Sequence, residues 1–124
     1  MKIFTSFLLF SLTFSLSASG QYVFEQVYDQ PTRHDNCFDL TMKKDGGFLL
    51  AGYSESGGDQ QYYVVNADAN GDTLWTAIIG GIEDEFGYEV AEAADSNVAV
   101  FGWTDSYGVN SLNYYLVKYD KNTG

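Results

Sequence analysis

The chain has 124 residues, with 17 acidic against six basic side chains, a formal net charge of −11 and a single cysteine. That balance repels phosphate backbones and anionic lipid heads, which excludes nucleic acid as a partner. One thiol excludes an internal disulfide framework, so apolar burial has to hold the fold together.

The N-terminus reads as an export signal. Lys2 supplies a positive start, Ile3 to Leu16 form an apolar run broken only by Ser and Thr, and Ala18-Ser19-Gly20 offers small residues for cleavage. Residues 1–20 are therefore expected to be a signal peptide and Gln21 the mature start. The run is short and hydroxyl-rich for a bilayer span, which needs about 20 apolar residues. No later segment is long enough either, so no membrane span is expected after signal removal. Taking 20 from 124 leaves 104 residues; with Lys2 gone, five basic residues face 17 acidic ones, a net charge of −12. The expected location is secreted or on the cell surface. Cys37 is expected in a buried apolar position.

Helix signals are nearly absent, while aromatic and β-branched residues are dense and turn dipeptides recur about every ten residues, the pattern of an all-β chain. Eight strands are expected, near 22–28, 38–44, 47–53, 62–67, 73–79, 87–93, 97–104 and 113–119. The first carries Phe24. In the second, Phe38, Leu40 and Met42 alternate with Asp39, Thr41 and Lys43, which predicts one buried and one wet face. Asp45-Gly46-Gly47 predicts a tight hairpin into the third strand, where Gly52 marks a bulge or a close backbone approach. Asn70-Gly71 closes another hairpin, and the strand leaving it carries Trp75. Asp95-Ser96-Asn97 answers to the first hairpin, with Asn97 at the position that tolerates positive φ. In the next strand Val98, Val100 and Gly102 alternate with Ala99, Phe101 and Trp103; both faces are apolar, as in a strand between neighbouring sheets. Asn122-Thr123-Gly124 then begins the Asn70-Gly71 turn again.

These elements are two copies of one unit. Phe38-Asp39-Leu40-Thr41-Met42 and the run from Asp45 to Ser56 return about fifty residues later, as Tyr88-Glu89-Val90-Ala91-Glu92 and the run from Asp95 to Ser106. Tyr62-Tyr63-Val64-Val65 returns as Tyr114-Tyr115-Leu116-Val117. The unit reads as an outer strand followed by three inner strands, which divides the chain into repeats over 21–72 and 73–124. The expected fold is all-β: two tandem four-stranded antiparallel sheets, as blades of an incomplete β-propeller. Propellers close with about four to eight blades. A third copy is therefore expected past Gly124, with the chain the N-terminal part of a longer protein; its partners would be further repeats of the same longer chain, or other copies through self-association.

The residues around the second hairpin carry a family resemblance. Val65-Asn66-Ala67-Asp68-Ala69-Asn70-Gly71-Asp72-Thr73-Leu74-Trp75 resembles the blade-to-blade motif of quinoprotein-like β-propellers, in which an Asp, a turn ending in Gly and a Trp recur. Together with Asp-Gly-Gly-Phe-x-x-x-Gly-Tyr-Ser-x-Ser, it is similar to exported bacterial propeller-repeat proteins of the Bacteroidetes kind, often carrying a C-terminal sorting signal. The resemblance covers residues 22–124. It implies a propeller fold and a surface or secreted role, with Gly52, Gly102, Gly71 and Trp75 serving structure.

Candidate sites follow from residue chemistry. Asn66, Asp68, Asn70 and Asp72 alternate like the oxygen ligands of a calcium loop, but Ala77 stands where such a loop places its bidentate Glu, and a β-turn between strands explains the pattern without metal. Acidic segments precede an inner strand in both copies, His34-Asp35-Asn36 and Glu83-Asp84-Glu85. On one rim, Asp84 and Glu85 could hold a cation or a sugar hydroxyl, with Tyr53, Trp103 and Tyr107 as stacking faces. His34 fits neither a zinc pair nor a nucleophile–base pair, and no catalytic residue is assigned. No cofactor is expected, calcium being the one considered. The function expected is a non-enzymatic binding, adhesion or scaffold surface for an extracellular glycan or protein. The alternatives are a blade set from a propeller enzyme such as a quinone-dependent dehydrogenase, or a calcium-dependent glycan-binding propeller.

Overall fold

The computed structural model describes residues 23–109 and 112–124, so the expected signal peptide lies outside the described residues. These residues form seven strands and no helix: β1 His34–Met42, β2 Phe48–Ser56, β3 Asp59–Ala67, β4 Thr73–Ile79, β5 Glu85–Glu92, β6 Val98–Thr104 and β7 Asn113–Tyr119. They make two open antiparallel sheets, a four-stranded one in the order β1-β2-β3-β4 and a three-stranded one in the order β5-β6-β7.

Two corrections concern the strand inventory. The segment expected as a first strand joins no ladder with any described strand over residues 24–30. Strand 73–79 does not open the second sheet; it completes the first. The hairpin chemistry decides this. Gly71 adopts φ +85°, its amide donates to the Asp68 carbonyl at 3.1 Å, and the chain is turned straight back onto β3, with Val64 opposite Ala77. The sheets therefore have four and three strands, not four each.

The two sheets repeat one another in register. Ala51 lies opposite Val64 and Asp39, while Phe101 lies opposite Leu116 and Glu89. Each also carries a bulge at the same place, between Cys37 and Asp39 in β1 and between Gly87 and Glu89 in β5. The β1–β2 turn and its copy match as well: Lys43 donates to the Gly47 carbonyl and Ala93 to the Asn97 carbonyl, both at 2.8 Å. Positive φ falls on Gly46 in the first turn and on Ser96, not the expected Asn97, in the second.

The sheets pack face to face. Leu49, Ala51, Tyr62, Val64 and Trp75 from the first meet Val90, Val98, Val100 and Tyr119 from the second in one buried cluster. Burying aliphatic side chains of this size stabilises by about 1.5–3 kcal/mol each. Close approach needs glycine at two points. A Cβ on Gly52 would strike the Asn36 carbonyl across β1, and one on Gly102 would strike both the Phe86 carbonyl and the Tyr62 hydroxyl. Polar bonds stitch the rim of the interface. Asp39 Oδ2 accepts from the Val90 amide at 2.9 Å, Tyr62 donates to the Tyr115 carbonyl at 3.0 Å, and Trp75 Nε1 donates to the Lys121 carbonyl at 2.9 Å.

The packing is front to back. Leu49, Ala51 and Val64 form the front of the first sheet, and their counterparts Ala99, Phe101 and Leu116 lie on the outer, open face of the second. The second sheet instead presents its back, Val100 and Gly102, whose counterparts Leu50 and Gly52 face away from the interface. Both apolar faces of β6 are real, but only one is covered: Val98 and Val100 are buried while Phe101 is exposed. The expected wet-and-dry alternation of β1 also fails. Phe38, Leu40 and Met42 are all exposed, because the bulge ejects Phe38 and the other two lie on the back of the first sheet, where they stay exposed while Tyr63 and Val65 on the same back are buried. Cys37, expected to be buried, is exposed on that same back.

Residues 24–30 partly cover the back of the first sheet and follow the path that 75–81 take behind the second. At the lower end the Phe24 ring stands against Gly71 and Phe48, as the Trp75 ring stands against Gly124. At the upper end the Gln30 amide donates to Asp35 Oδ2 at 2.6 Å, as the Gly81 amide donates to Glu85 Oε2 at 2.8 Å.

Candidate functional site

The repeated bulge builds the most distinctive surface of the molecule. In an unbroken strand Phe38 and Tyr88 would take their turn in the pleat; the extra residue frees each from the ladder and aims its ring outward. The strands β1 and β5 lie side by side, so the two ejected rings stack, with centroids 5.0 Å apart and planes 21° from parallel. Phe86 fills the space behind them, stacked on Trp103 at 4.4 Å and edge-on to Tyr53 at 5.0 Å. Trp103 Nε1 donates to the Tyr88 hydroxyl at 3.2 Å, and Asn36 Nδ2 reaches the Tyr53 hydroxyl at 3.5 Å.

The result is a ledge of five aromatic rings, with Phe38 42% and Tyr88 43% exposed. Offset stacking stabilises each pair by about 0.5–1.5 kcal/mol beyond simple burial, so the ledge is preformed and not a loose set of side chains. Its polar complement is the phenol of Tyr88 and the amide of Asn36. Such a surface suits the flat apolar face of a sugar ring or a peptide aromatic, with hydroxyl or amide partners at the border.

Of the residues expected as stacking faces, Tyr53 and Trp103 belong to the ledge, joined through Phe86. Tyr107 stands apart: its ring packs on Tyr115 and its hydroxyl donates to the Gly80 carbonyl at 3.0 Å. Phe38, Phe86 and Tyr88 are the residues that sequence reasoning missed. The signal is an aromatic–acid pair, Phe38-Asp39 and Tyr88-Glu89, recurring at one place in both copies; a strict period of two reads it as ordinary strand.

The carboxylates expected at a cation site are placed otherwise. Asp68 Oδ1 accepts from the amides of Asn70 at 2.8 Å and Asp72 at 3.0 Å, which caps the β3–β4 turn. Asp84 Oδ1 accepts from the Gln60 amide at 2.9 Å, linking the two sheets. Glu85 is fully buried in β5, with one oxygen on the Thr104 hydroxyl at 2.7 Å and the other on the Gly81 amide at 2.8 Å. Among the described residues no group of three His, Cys, Asp or Glu side chains converges on one point. His34 and Asp35 lie within β1, not in a loop before it. The four structural residues sit where backbone or packing requires them: Gly52 and Gly102 at the close approaches, Gly71 in its turn, and Trp75 in the inter-sheet cluster.

Comparison with known protein families, with curated proteins and with solved structures finds no match to the chain.

Proposed function

We propose that the chain is an exported β-propeller-type repeat module and that its role is non-enzymatic binding, through the aromatic ledge, of an extracellular glycan. The observation that carries this reading is the repeated bulge, which presents an exposed, stacked ring at the same position of each copy. A packing role alone would bury those rings, as Trp75 is buried; a bulge that re-aims a side chain toward solvent is a feature of binding surfaces. The front-to-back stacking of two in-register sheets supports the propeller-type reading. In such a stack the innermost strands of successive sheets lie next to one another, so β1 and β5 would bring one ledge ring per unit toward a common axis. Export follows from the charge, length and exit site of residues 1–20.

Two measurements test the reading. Titration with a panel of soluble oligosaccharides, followed by tryptophan emission, is expected to perturb Trp103 and to lose about tenfold in affinity in Tyr88→Ala, one stacking contact being worth about 1–1.5 kcal/mol. Binding unchanged in both Phe38→Ala and Tyr88→Ala would remove the ledge as the site. Export is checked by the N-terminal residue of the protein recovered from the medium: Gln21 is expected, and a retained Met1 contradicts it.

A further inference from the structure

Tyr114, Leu116 and Leu40, exposed on the two outer faces, each have a counterpart that is buried between the sheets. Tyr114 is 90% exposed and its counterpart Tyr62 0%; Leu116 is 68% exposed and Val64 0%; Leu40 is 55% exposed and Val90 5%. The open front of the β5-β6-β7 sheet and the back of the β1–β4 sheet, which residues 24–30 cover only in part, thus correspond to the two halves of an interface the molecule already makes once. The back half contains a recess of about 150 Å³ lined by residues including Tyr28, Cys37, Leu50, Gly52, Tyr63 and Val65. Beside it, the buried Asp35 Oδ1 and Ser54 Oγ have no hydrogen-bond partner among the described residues. Their counterparts Glu85 and Thr104 bond each other.

We infer that a second copy of this chain docks head to tail, seating the Phe101–Tyr114–Leu116 face of one copy on the Leu50–Gly52–Val65 back of the next. The inference rests on the repeat-module reading and deepens it by naming the partner and both surfaces. The contacts follow by transferring the existing interface. The Tyr114 hydroxyl lies over Gly52 and donates to the Tyr63 carbonyl, as Tyr62 lies against Gly102 and donates to the Tyr115 carbonyl. Residues 24–30 already occupy the place of a β4 strand behind the β1–β4 sheet, so they are positioned to pair with the edge of β7 that no described strand covers, along Tyr114–Tyr119 of the incoming copy. That completes a four-stranded sheet and covers an edge otherwise open to indiscriminate pairing. The register taken from β3 and β4, Tyr62 opposite Ile79 and Val64 opposite Ala77, sets Tyr114 opposite Tyr28 and Leu116 opposite Gln26. A contact of this kind uses different patches on the two copies, so it propagates to a ring or a filament.

Sedimentation velocity of the full chain against concentration tests the inference with two blocked forms. Leu116→Glu places a carboxylate on the front face only, and alkylation of Cys37 with a maleimide obstructs the back recess only. The full chain is expected to associate, and each blocked form is expected to stay monomeric, with association at least about a hundredfold weaker because a charge or bulky group would be buried unpaired. Mixed one to one, the two blocked forms each retain one good half and are expected to give a heterodimer that grows no further. Retained near-ultraviolet circular dichroism confirms that each blocked form is folded; Tyr114→Ala replaces Leu116→Glu should the latter unfold. Self-association that survives Cys37 alkylation would show front-to-front pairing and overturn the inference. So would a full chain that is monomeric at every concentration. A monomer that still binds oligosaccharide through the ledge overturns the second copy and leaves the binding reading standing.

Discussion

At the scale of single residues, the two copies make different choices at positions with one geometry, and the differences have a cost. Gly46 and Ser96 occupy the same place in equivalent turns, with φ +87° and +65°. The left-handed region costs a residue with a Cβ about 1–2 kcal/mol, part of which glycine gives back through its greater freedom in the unfolded chain. Space is not the issue at Gly46, where an added Cβ would meet only Ala69 at 3.8 Å. Gly46→Ala is therefore expected to lose about 1 kcal/mol and Ser96→Gly to gain about 0.5 kcal/mol in urea denaturation. Equal effects of the same sign at both sites would contradict the shared turn.

Two buried phenols tie stability to alkaline pH. Desolvation by burial raises the pKa of Tyr62 and of Tyr119 far above the ordinary 10.0. The folded state holds these protons where the unfolded chain releases them. Stability is therefore complete below the unfolded value of 10.0 and is lost as pH climbs from there toward the folded-state values. Tyr119 adds a second feature, a buried hydroxyl with no hydrogen-bond partner among the described residues. Tyr119→Phe is expected to gain about 1 kcal/mol at neutral pH, by removing an unsatisfied polar group, and to soften the alkaline loss. Denaturation of both proteins at neutral pH and above pH 10.0 checks this; a destabilised variant would mean that the hydroxyl is bonded after all.

At the scale of elements, legibility depended on whether the deciding interaction is local. The all-β class, the hairpins at Gly46 and Gly71 and the matching of the two copies rest on turn chemistry and alternation within a few residues, and all three are visible in the sequence. The ownership of strand 73–79 was legible too, since a tight Asn70-Gly71 turn can only return the chain to β3, but the repeat boundary obscured it. The bulges were not legible. Whether Phe38 stays in the pleat or leaves it depends on β5 lying alongside, a contact about fifty residues away in the chain, and period-two reading carries no such information. For the same reason Leu40 and Cys37 were misplaced: a strand shows which residues share a face, while burial depends on what packs against that face. The acidic candidates were legible as acids but not as turn caps and inter-sheet links, because those roles need partners such as Gln60 and Thr104 from other strands.

The segment 24–30 illustrates the same rule. Phe24 matches Trp75 in sequence, and it also matches in position, yet it forms no ladder because the strand that would pair with it is not supplied by the described residues. Trp75 is 9% exposed and hydrogen-bonded, while Phe24 is 40% exposed. Trp75→Ala is accordingly expected to cost about 3–5 kcal/mol, in the range of buried aromatic truncations. For Phe24→Ala, with part of the ring wet, roughly half that cost is expected or less. Chemical denaturation ranks the two, and a larger loss at Phe24 would contradict the assignment of 24–30 as a partial cover.

At the scale of the whole molecule, the seven described strands make one interface and leave the front half of another open and its back half partly covered. Stability is carried by the cluster between the sheets, so neither sheet is expected to persist without the other: each alone would expose two apolar faces. The net charge of −11 acts against any stacking of copies, since like-charged bodies repel at long range. Higher salt is therefore expected to strengthen head-to-tail association, whereas a contact built from ion pairs would weaken.

The front-to-back packing of two in-register sheets underlies the ledge, the recess and the docking of a second copy alike. The most direct measurement is the set of nuclear Overhauser contacts made by the Tyr62 ring in the monomer. Contacts with the Gly102 α-protons and with the Tyr115 ring, whose centroid lies 5.3 Å away, are the expected result. Contacts pairing Ala51 with Phe101 within one monomer would place the two fronts together and contradict it.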